Sequence, residues 1–324
     1  MSKIWLEMKL DPAAVAMLAE AGDLIGPGAD GLAGDPQTGI DQADAVIAGP
    51  KVAWNRAAYE RAPRVQVVAR TGIGYDNVDV AAATAAGVCA TNTPDAPTES
   101  TAEFTIAAML ALGRKLALAD RRFRAEGWIP TPELVGVEFD GKTLGLVGLG
   151  RIGSRVAEIA LALRMKVLAY DPHLSSDAMR AKGLTPAADL TALFSASDVV
   201  SLHLPLTPQT RGSIGEAAFA GMKKGALLIN AARGPIIVEA ALVAALKSGH
   251  LGGAAVDVWD PEPAEKGNPL LRLDNVLATP HIASSTVDGR RRLQVGAAEC
   301  ALAVLAGRVP PGLLNPGVWE KRRR

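Results

Sequence analysis

The sequence predicts an α/β protein built on two doubly wound parallel sheets, and three observations carry that prediction. Strand-length apolar runs alternate with helical patterns along nearly all of the 324 residues. A prior of about 150 residues per domain favours two cores over one at this length. The composition, 49% hydrophobic with 33 Gly and 21 Pro, suits a chain with many helix-to-strand turns. Thirty-four basic residues balance 34 acidic ones, so no global field points to nucleic acid or to an anionic membrane surface. The basic end, Lys321 to Arg324, reads as a solvated tail. Cys89 and Cys300 form neither a disulfide framework nor a metal-ligand spacing, and no metal is expected. The opening MSKIWLEMKLDP is broken by charges before a signal-peptide core forms, and the apolar stretch Phe104 to Gly113 is too short to span a bilayer. A cytoplasmic protein is the expectation.

The first part of the chain reads as strands at Ile4–Met8, Ala45–Ala48, Val65–Ala69 and Val88–Thr91, with helices at Pro12–Ala21, Trp54–Arg61 and Val80–Ala86 between them. Gly22, Gly87 and the Gly/Pro-rich segment 26–39 supply the stops. Thr71-Gly72-Ile73-Gly74 follows the third strand, where open α/β sheets present backbone N–H groups to ligands, although alone it reads as a plain tight turn. Ser100 and Glu103 suggest a capping box opening one long helix that runs to about Glu126. Its first half is apolar nearly all round, which predicts burial between domains or subunits, while Arg121 to Arg124 should be solvated.

Gly141 to Asp171 reads as a complete strand, turn, helix, strand unit. Gly148, Gly150 and Gly153 give G-x-G-x-x-G: a tight turn, a close approach for a pyrophosphate, and a helix packed close on its strand. The helix N-terminus favours an anion without a basic side chain. Val156, Ile159, Ala160 and Leu163 form the face turned to the sheet, and Lys166 to Tyr170 is the second strand. Asp171 closes it roughly 20 residues beyond the last glycine, where an acid accepts hydrogen bonds from ribose hydroxyls and repels a 2′-phosphate. A dinucleotide with a free ribose is the expected ligand. The alternation continues with helices Ser176–Lys182, Ala188–Ser195, Gly215–Ala220 and Val238–Ser248, and strands Val199–Leu202, Ala226–Asn230, Ala254–Val258 and Val276–Ala278, before a last helix at about Val287–Ala306.

Three strand ends beyond this unit carry polar residues that a packed core does not require. Arg233 follows Asn230-Ala231-Ala232, and its planar fork suits a carboxylate, although alone it reads as a surface arginine in an ion pair. Glu262 lies between Pro261 and Pro263 after the next strand, where many acids are merely solvated, and His281 follows Thr279-Pro280, where a lone histidine is more often structural. Their convergence on successive strand ends matters more than any one of them. An anion clamp, an orienting carboxylate and a proton donor beside a dinucleotide are what hydride transfer to a keto acid needs.

GLGRIG, YDP, HLPLTPQTRG, NAARG, DVWDPEP and TPHIAS, together with ARTGIGYDNVD at 69–79, resemble the D-isomer-specific 2-hydroxyacid dehydrogenase family, which includes phosphoglycerate dehydrogenases and glyoxylate/hydroxypyruvate reductases. The resemblance implies an NAD-dependent oxidoreductase moving a hydride between NAD(H) and a small D-2-hydroxy acid/2-keto acid pair, with Arg233, Glu262 and His281 as the catalytic trio. It implies NAD contacts from Gly148, Gly150, Arg151, Ile152, Gly153, Asp171, Ala231, Ala232, Arg233 and Asp257, the last toward the nicotinamide carboxamide. Gly72, Ile73 and Gly74 would hold the substrate carboxylate with Arg233. The implied layout is a flavodoxin-like, discontinuous substrate domain at 1–98 and 287–324 and a Rossmann NAD-binding domain at 99–286, in a homodimer formed through the NAD-binding domain with the long apolar helix at the interface. Two departures weigh against a phosphoglycerate substrate: Ala48-Gly49-Pro50 stands where such enzymes usually place an arginine, and the sequence ends soon after the second crossover helix with no regulatory serine-binding domain. Lys51, or an arginine of a partner subunit, remains open as a phosphate ligand. The rival reading is an NAD-sensing corepressor-like interaction protein, against which the lack of long disordered extensions and of a basic surface argues.

Overall fold

The computed structural model describes residues 1–30 and 37–324. They divide into two compact units, Met1–Pro97 with Ser285–Arg324, and Thr98–Ser284. Residues 31–36, inside the predicted Gly/Pro-rich break, lie outside the described residues.

The first unit runs β1 (Ser2–Leu6), α1 (Pro12–Ala19), β2 (Gly22–Ile25), α2 (Pro27–Asp30), β3 (Ala45–Ala48), α3 (Arg56–Arg61), β4 (Val67–Arg70), α4 (Val80–Ala85) and β5 (Cys89–Thr91). Its strands lie in the order β2-β1-β3-β4-β5 with parallel pairings throughout, a flavodoxin-like sheet. Asp11, Asn55 and Asp79 cap α1, α3 and α4 by accepting from the amides of Ala13, Ala58 and Ala82. Strand alternation divides the core: Ile4, Leu6, Ile47, Val67 and Ala69 face one side, and Trp5, Val46, Val68 and Ala90 the other. The sequence missed β2, reading Gly22 as a stop. With only Leu24 and Ile25 as apolar residues the strand is too short for a period-2 pattern, and pairing with β1 makes it one.

The second unit runs α5 (Thr98–Gly113), α6 (Leu116–Glu126), β6 (Thr143–Val147), α7 (Arg151–Ala162), β7 (Lys166–Tyr170), α8 (Ser176–Ala181), β8 (Thr185–Pro186), α9 (Leu190–Ala196), β9 (Val199–Leu202), α10 (Glu216–Gly221), β10 (Ala226–Asn230), α11 (Glu239–Lys247), β11 (Leu251–Val256) and β12 (Val276–Ala278). The order β12-β11-β10-β9-β6-β7-β8 is a Rossmann sheet extended by one strand, and it reverses direction between β6 and β9. The two-residue edge strand β8 carried no apolar run and was not foreseen.

Three local expectations are corrected here. The long helix is two: α5 starts at Thr98, two residues before the expected cap, so Ser100 lies buried inside it, and a left-handed Lys115 separates it from α6. The apolar half lies against its own unit, because Ala102, Ile106, Ala108 and Met109 join the core formed with α7 and the sheet. It is α6 that buries nothing in its own unit, and Phe123 and Trp128 stand 56% and 86% exposed on it and just beyond it. Leu163 caps α7 at the surface, and Leu161 packs on the core in its place.

The chain returns to the first unit through α12 (Val287–Leu305), capped by Thr286, whose Ala297, Ala298, Ala301 and Val304 complete the core beside β1, β3 and β4. The basic end is held rather than free. Arg322 stacks 3.6 Å from the ring centroid of Trp319, and Arg323 donates to the carbonyls of Ala62 (2.8 Å) and Val65 (3.3 Å) at the end of α3, where a cation offsets unpaired carbonyls. Before it, buried Asn315 does the work of a further strand at the β5 edge: its Oδ1 accepts from Ala90 N (3.0 Å) and its Nδ2 donates to Val88 O (2.9 Å) and Thr84 Oγ1 (3.1 Å). Asn315→Leu removes all three and leaves buried backbone groups unpaired, so we expect a loss of about 2–4 kcal/mol, read as a lower denaturant midpoint at unchanged m-value.

Candidate active site

The C-terminal edge of the second sheet gathers the dinucleotide features. Gly148 adopts φ +97°, and a Cβ there would lie 2.6 Å from the His203 carbonyl oxygen. A Cβ on Gly153 would come within 2.3 Å of Gly148 O, so only glycine lets α7 lie this close to β6. At Gly150 a Cβ would meet nothing within 4 Å, and this residue begins α7 without a side-chain cap. The first-turn amides therefore face an open cradle of the kind a pyrophosphate fills. Arg151 is exposed at the start of α7, whereas Ile152 leans on the core. Asp171 Oδ2 accepts from Leu149 N (2.8 Å), inside the glycine turn, and Oδ1 accepts from His173 N (2.8 Å). Each oxygen keeps a further lone pair for a ribose hydroxyl. These residues fit NAD.

His203 stands beside the glycine turn. Following β9 at the point where the sheet reverses, it walls the glycine turn, and its Nε2 lies 3.0 Å from Ser201 Oγ. Burial pushes its pKa down to about 4, so the ring is neutral at physiological pH. The traceable signal was its place one residue beyond an apolar strand. His250, by contrast, spends its Nε2 on the carbonyls of Phe219 and Met222 in the core of the fold.

Past β10, buried Asn230 shapes the 231–233 turn, accepting from Ala232 N (3.1 Å) and donating to Arg233 O (3.0 Å). A Cβ on Gly234 would sit 2.2 Å from the Trp259 backbone, which locks this turn against the segment following β11. Arg233 is half-buried and donates to Ala232 O (2.6 Å).

His281 and Glu262 come together: ring Nδ1 lies 2.5 Å from Glu262 Oε1, with both side chains about half-exposed. Burial raises the Glu262 pKa, but the hydrogen bond to His281, its charge, the Trp259 amide and the Arg233 charge together hold it below the ordinary carboxylate range. Asp260, the other acid of that loop, instead approaches Arg211 at 4.0 Å. The ring so held turns Nε2 away from the carboxylate.

Asp257, 1% exposed, organises the turn that carries the histidine. Its Oδ1 accepts from Thr279 Oγ1 (2.6 Å) and Ile282 N (2.8 Å), its Oδ2 from Ala283 N (2.8 Å), and its carbonyl from His281 N (2.8 Å). His281 itself has φ +55°, a left-handed backbone that costs a residue with a Cβ about 1–3 kcal/mol and persists only where its surroundings impose it.

In the first unit, the loop after β4 holds its carbonyls inward: Gly72 O accepts from Thr93 N (3.0 Å) and Ile73 O from Asn92 Nδ2 (2.8 Å). Gly72 N turns back to Arg70 O (3.0 Å), whereas the Ile73 and Gly74 amides donate to no other described residue. The loop after β3 is differently employed. Buried Glu7 accepts from the amides of Gly49 (2.9 Å), Lys51 (2.7 Å) and Val52 (3.3 Å). Burial raises its pKa, against the pull of these three amides and of Arg70. The Lys51 side chain is exposed.

Residues 106–283 match the sequence profile described as the D-isomer-specific 2-hydroxyacid dehydrogenase NAD binding domain. A glyoxylate reductase of Aeropyrum pernix is 43% identical over 270 residues, 81% of this chain and 80% of that one. A D-3-phosphoglycerate dehydrogenase of Archaeoglobus fulgidus is 42% identical over 257 residues, 79% of this chain, which thus spans 48% of that longer protein. Among solved structures, the D-lactate dehydrogenase of Aquifex aeolicus complexed with NAD and lactic acid superposes with a TM-score of 0.79 at 28% identity, covering 94% of this chain and 96% of that one. With its glycine turn, the acid that follows β7 and its paired histidine and glutamate on the sheet edge that this profile spans, the chain belongs to the D-isomer-specific 2-hydroxyacid dehydrogenase family.

Proposed function

We propose that this chain reduces a small, unphosphorylated 2-keto acid to the D-2-hydroxy acid with NADH, and catalyses the reverse oxidation with NAD. The observation that carries the reading is the 2.5 Å pairing of His281 with Glu262, set at strand ends on the edge that holds the glycine turn. The nicotinamide, when bound, supplies the hydride to the carbonyl carbon. Arg233 binds the substrate carboxylate and stabilises negative charge growing on the keto oxygen. His281 Nε2 delivers the proton to that oxygen in reduction and removes it in oxidation, while the Glu262 carboxylate, paired with Nδ1, orients the ring. Asp257 keeps one acceptor position, on Oδ2, for the nicotinamide carboxamide. Ala231 and Ala232 line the cofactor with Arg233.

The second unit is the NAD-binding domain and the first the substrate domain, where the amides of Ile73 and Gly74 receive the carboxylate. The named activities of the relatives divide between glyoxylate and 3-phosphoglycerate. Glu7 favours the former class: it occupies three amides of the loop after β3 with a carboxylate, leaving no ready-made anion nest there for a phosphate.

We place the homodimer contact on α6 and the loop after it, since Leu116, Phe123, Trp128 and Val135 expose apolar surface there and a two-fold contact would bury the same patch on both copies. Among the described residues no helix is long and apolar enough to cross a membrane. A cytoplasmic location fits this reading.

Three measurements test it. In an NADH assay, glyoxylate or hydroxypyruvate should exceed 3-phosphohydroxypyruvate in kcat/KM, and NADH should exceed NADPH; His281→Ala should lower kcat about 10²–10⁴-fold with NADH affinity intact. Better turnover of the phosphorylated acid would overturn the substrate assignment. Glu262→Gln keeps a hydrogen-bonding group but withdraws the charge, so activity in reduction should decline at lower pH than in wild type, and the rising limb of oxidation should move the same way. Superimposable profiles would leave Glu262 without the proposed role. Finally, Phe123→Asp with Trp128→Asp should convert a dimer to a folded monomer by light scattering, and a monomeric wild type would refute the interface.

A further inference from the structure

The two amides that receive the substrate carboxylate are aimed by residues on a neighbouring segment. The β4–β5 ladder ends with Ala69 opposite Thr91, and beyond it the chains stay together through other bonds. Thr93 N donates to Gly72 O (3.0 Å), and the Asn92 side chain donates to Ile73 O (2.8 Å). In a planar trans peptide the C=O of one residue and the N–H of the next point in opposite directions. Fixing the Gly72 carbonyl against β5 therefore turns the Ile73 N–H away from it, and fixing the Ile73 carbonyl does the same to Gly74 N–H. The first of these bonds is backbone to backbone. The second depends on one side chain, 7% exposed and rigidly placed, because Asn92 N donates to Gly312 O (3.2 Å) on the returning chain. Gly312 has φ +65°, and a Cβ there would lie 2.3 Å from Asn92 O, so the two segments are in close contact.

We infer that Asn92 is a positioning residue for substrate: by holding Ile73 O, its side-chain amide aims the Gly74 N–H at the carboxylate. The inference rests on the reading of Ile73 and Gly74 as the carboxylate's donors. The Asn92 side-chain amide is spent on Ile73 O, so its effect on substrate is indirect. Its loss frees the 73–74 peptide to rotate, which removes one preorganised donor and leaves the second unit as it was.

Asn92→Leu should raise KM for the keto acid, and Kd for the analogue oxamate, about tenfold or more, with NADH affinity by fluorescence unchanged. Asn92→Asp, the same size, guards against a packing artefact. Ionised, it repels the Ile73 carbonyl and should be at least as impaired, but protonated it donates again, so its kcat/KM relative to wild type should recover as pH falls through the carboxyl range. Gly74→Pro, which deletes the aimed donor outright, separates the inference from the reading beneath it. If Gly74→Pro raises the keto-acid KM and Asn92→Leu does not, the positioning role is overturned while the donor reading stands. If Gly74→Pro leaves KM untouched, the donor reading falls and takes the inference with it. An Asn92→Leu defect shared equally by NADH binding, or an Asn92→Asp defect that does not vary with pH, would show a structural role only.

Discussion

The candidate site depends on one buried carboxylate, that of Asp257. Asp257 holds three donors from residues 279–283 on its side chain and the His281 amide on its carbonyl. Without that grip the turn has no reason to keep a histidine at φ +55°. The strain sits on the residue that must point its ring at Glu262, and the parallel pairing of β11 with β12 keeps Asp257 and the turn adjacent. Trp259 adds a tie from the other direction, its indole donating to Thr279 O (2.9 Å). The His281–Glu262 pair is thus set by backbone geometry first and by its own hydrogen bond second.

Much of the second unit was legible because its signals are local. The glycine spacing, the acid at the end of β7 and the strands Lys166–Tyr170, Val199–Leu202, Ala226–Asn230 and Val276–Ala278 are short-range patterns that burial then enforces, and the structure reproduces them. Pairing of His281 with Glu262 was also anticipated, from their convergence at successive strand ends and from the family resemblance. What failed was what depends on partners distant in sequence. An apolar α5 looks the same whether it meets a second subunit or α7, and a sequence does not state which. Likewise β2 and β8 exist because an edge was available to pair with. Asp257 appeared as a ligand candidate, and its hold on a loop more than twenty positions away was not legible.

The first unit shows the same division. Gly72 to Gly74 were visible as a turn at a strand end, but which amides face outward follows from Thr93 and Asn92, and nothing in Asn92-Thr93-Pro94 announces that duty. Glu7 is a sharper case. It reads as one acid in a charged strand end, yet it closes the loop after β3 from behind, and Asn77 ties the same loop through the carbonyls of Gly49 (2.9 Å) and Val52 (2.8 Å) while receiving Arg70 Nε on its own oxygen (3.2 Å). The two loops that follow β3 and β4 are therefore one hydrogen-bonded body, in which a change to either is felt by the other.

The bond from Leu149 N to Asp171 gives one side chain two jobs. The acid proposed to discriminate between dinucleotides also staples the glycine turn to the end of the neighbouring strand. A lineage drifting toward the phosphorylated cofactor would have to give up the acid's charge, and with it the staple, before any new basic group could be useful. Such a path crosses a loosened intermediate unless a neutral residue such as asparagine or serine first takes over the amide. On the proposed role of Asp171, coenzyme identity would be guarded by the mechanics of the loop as much as by electrostatic repulsion, and it should change in evolution by paired substitutions rather than single ones.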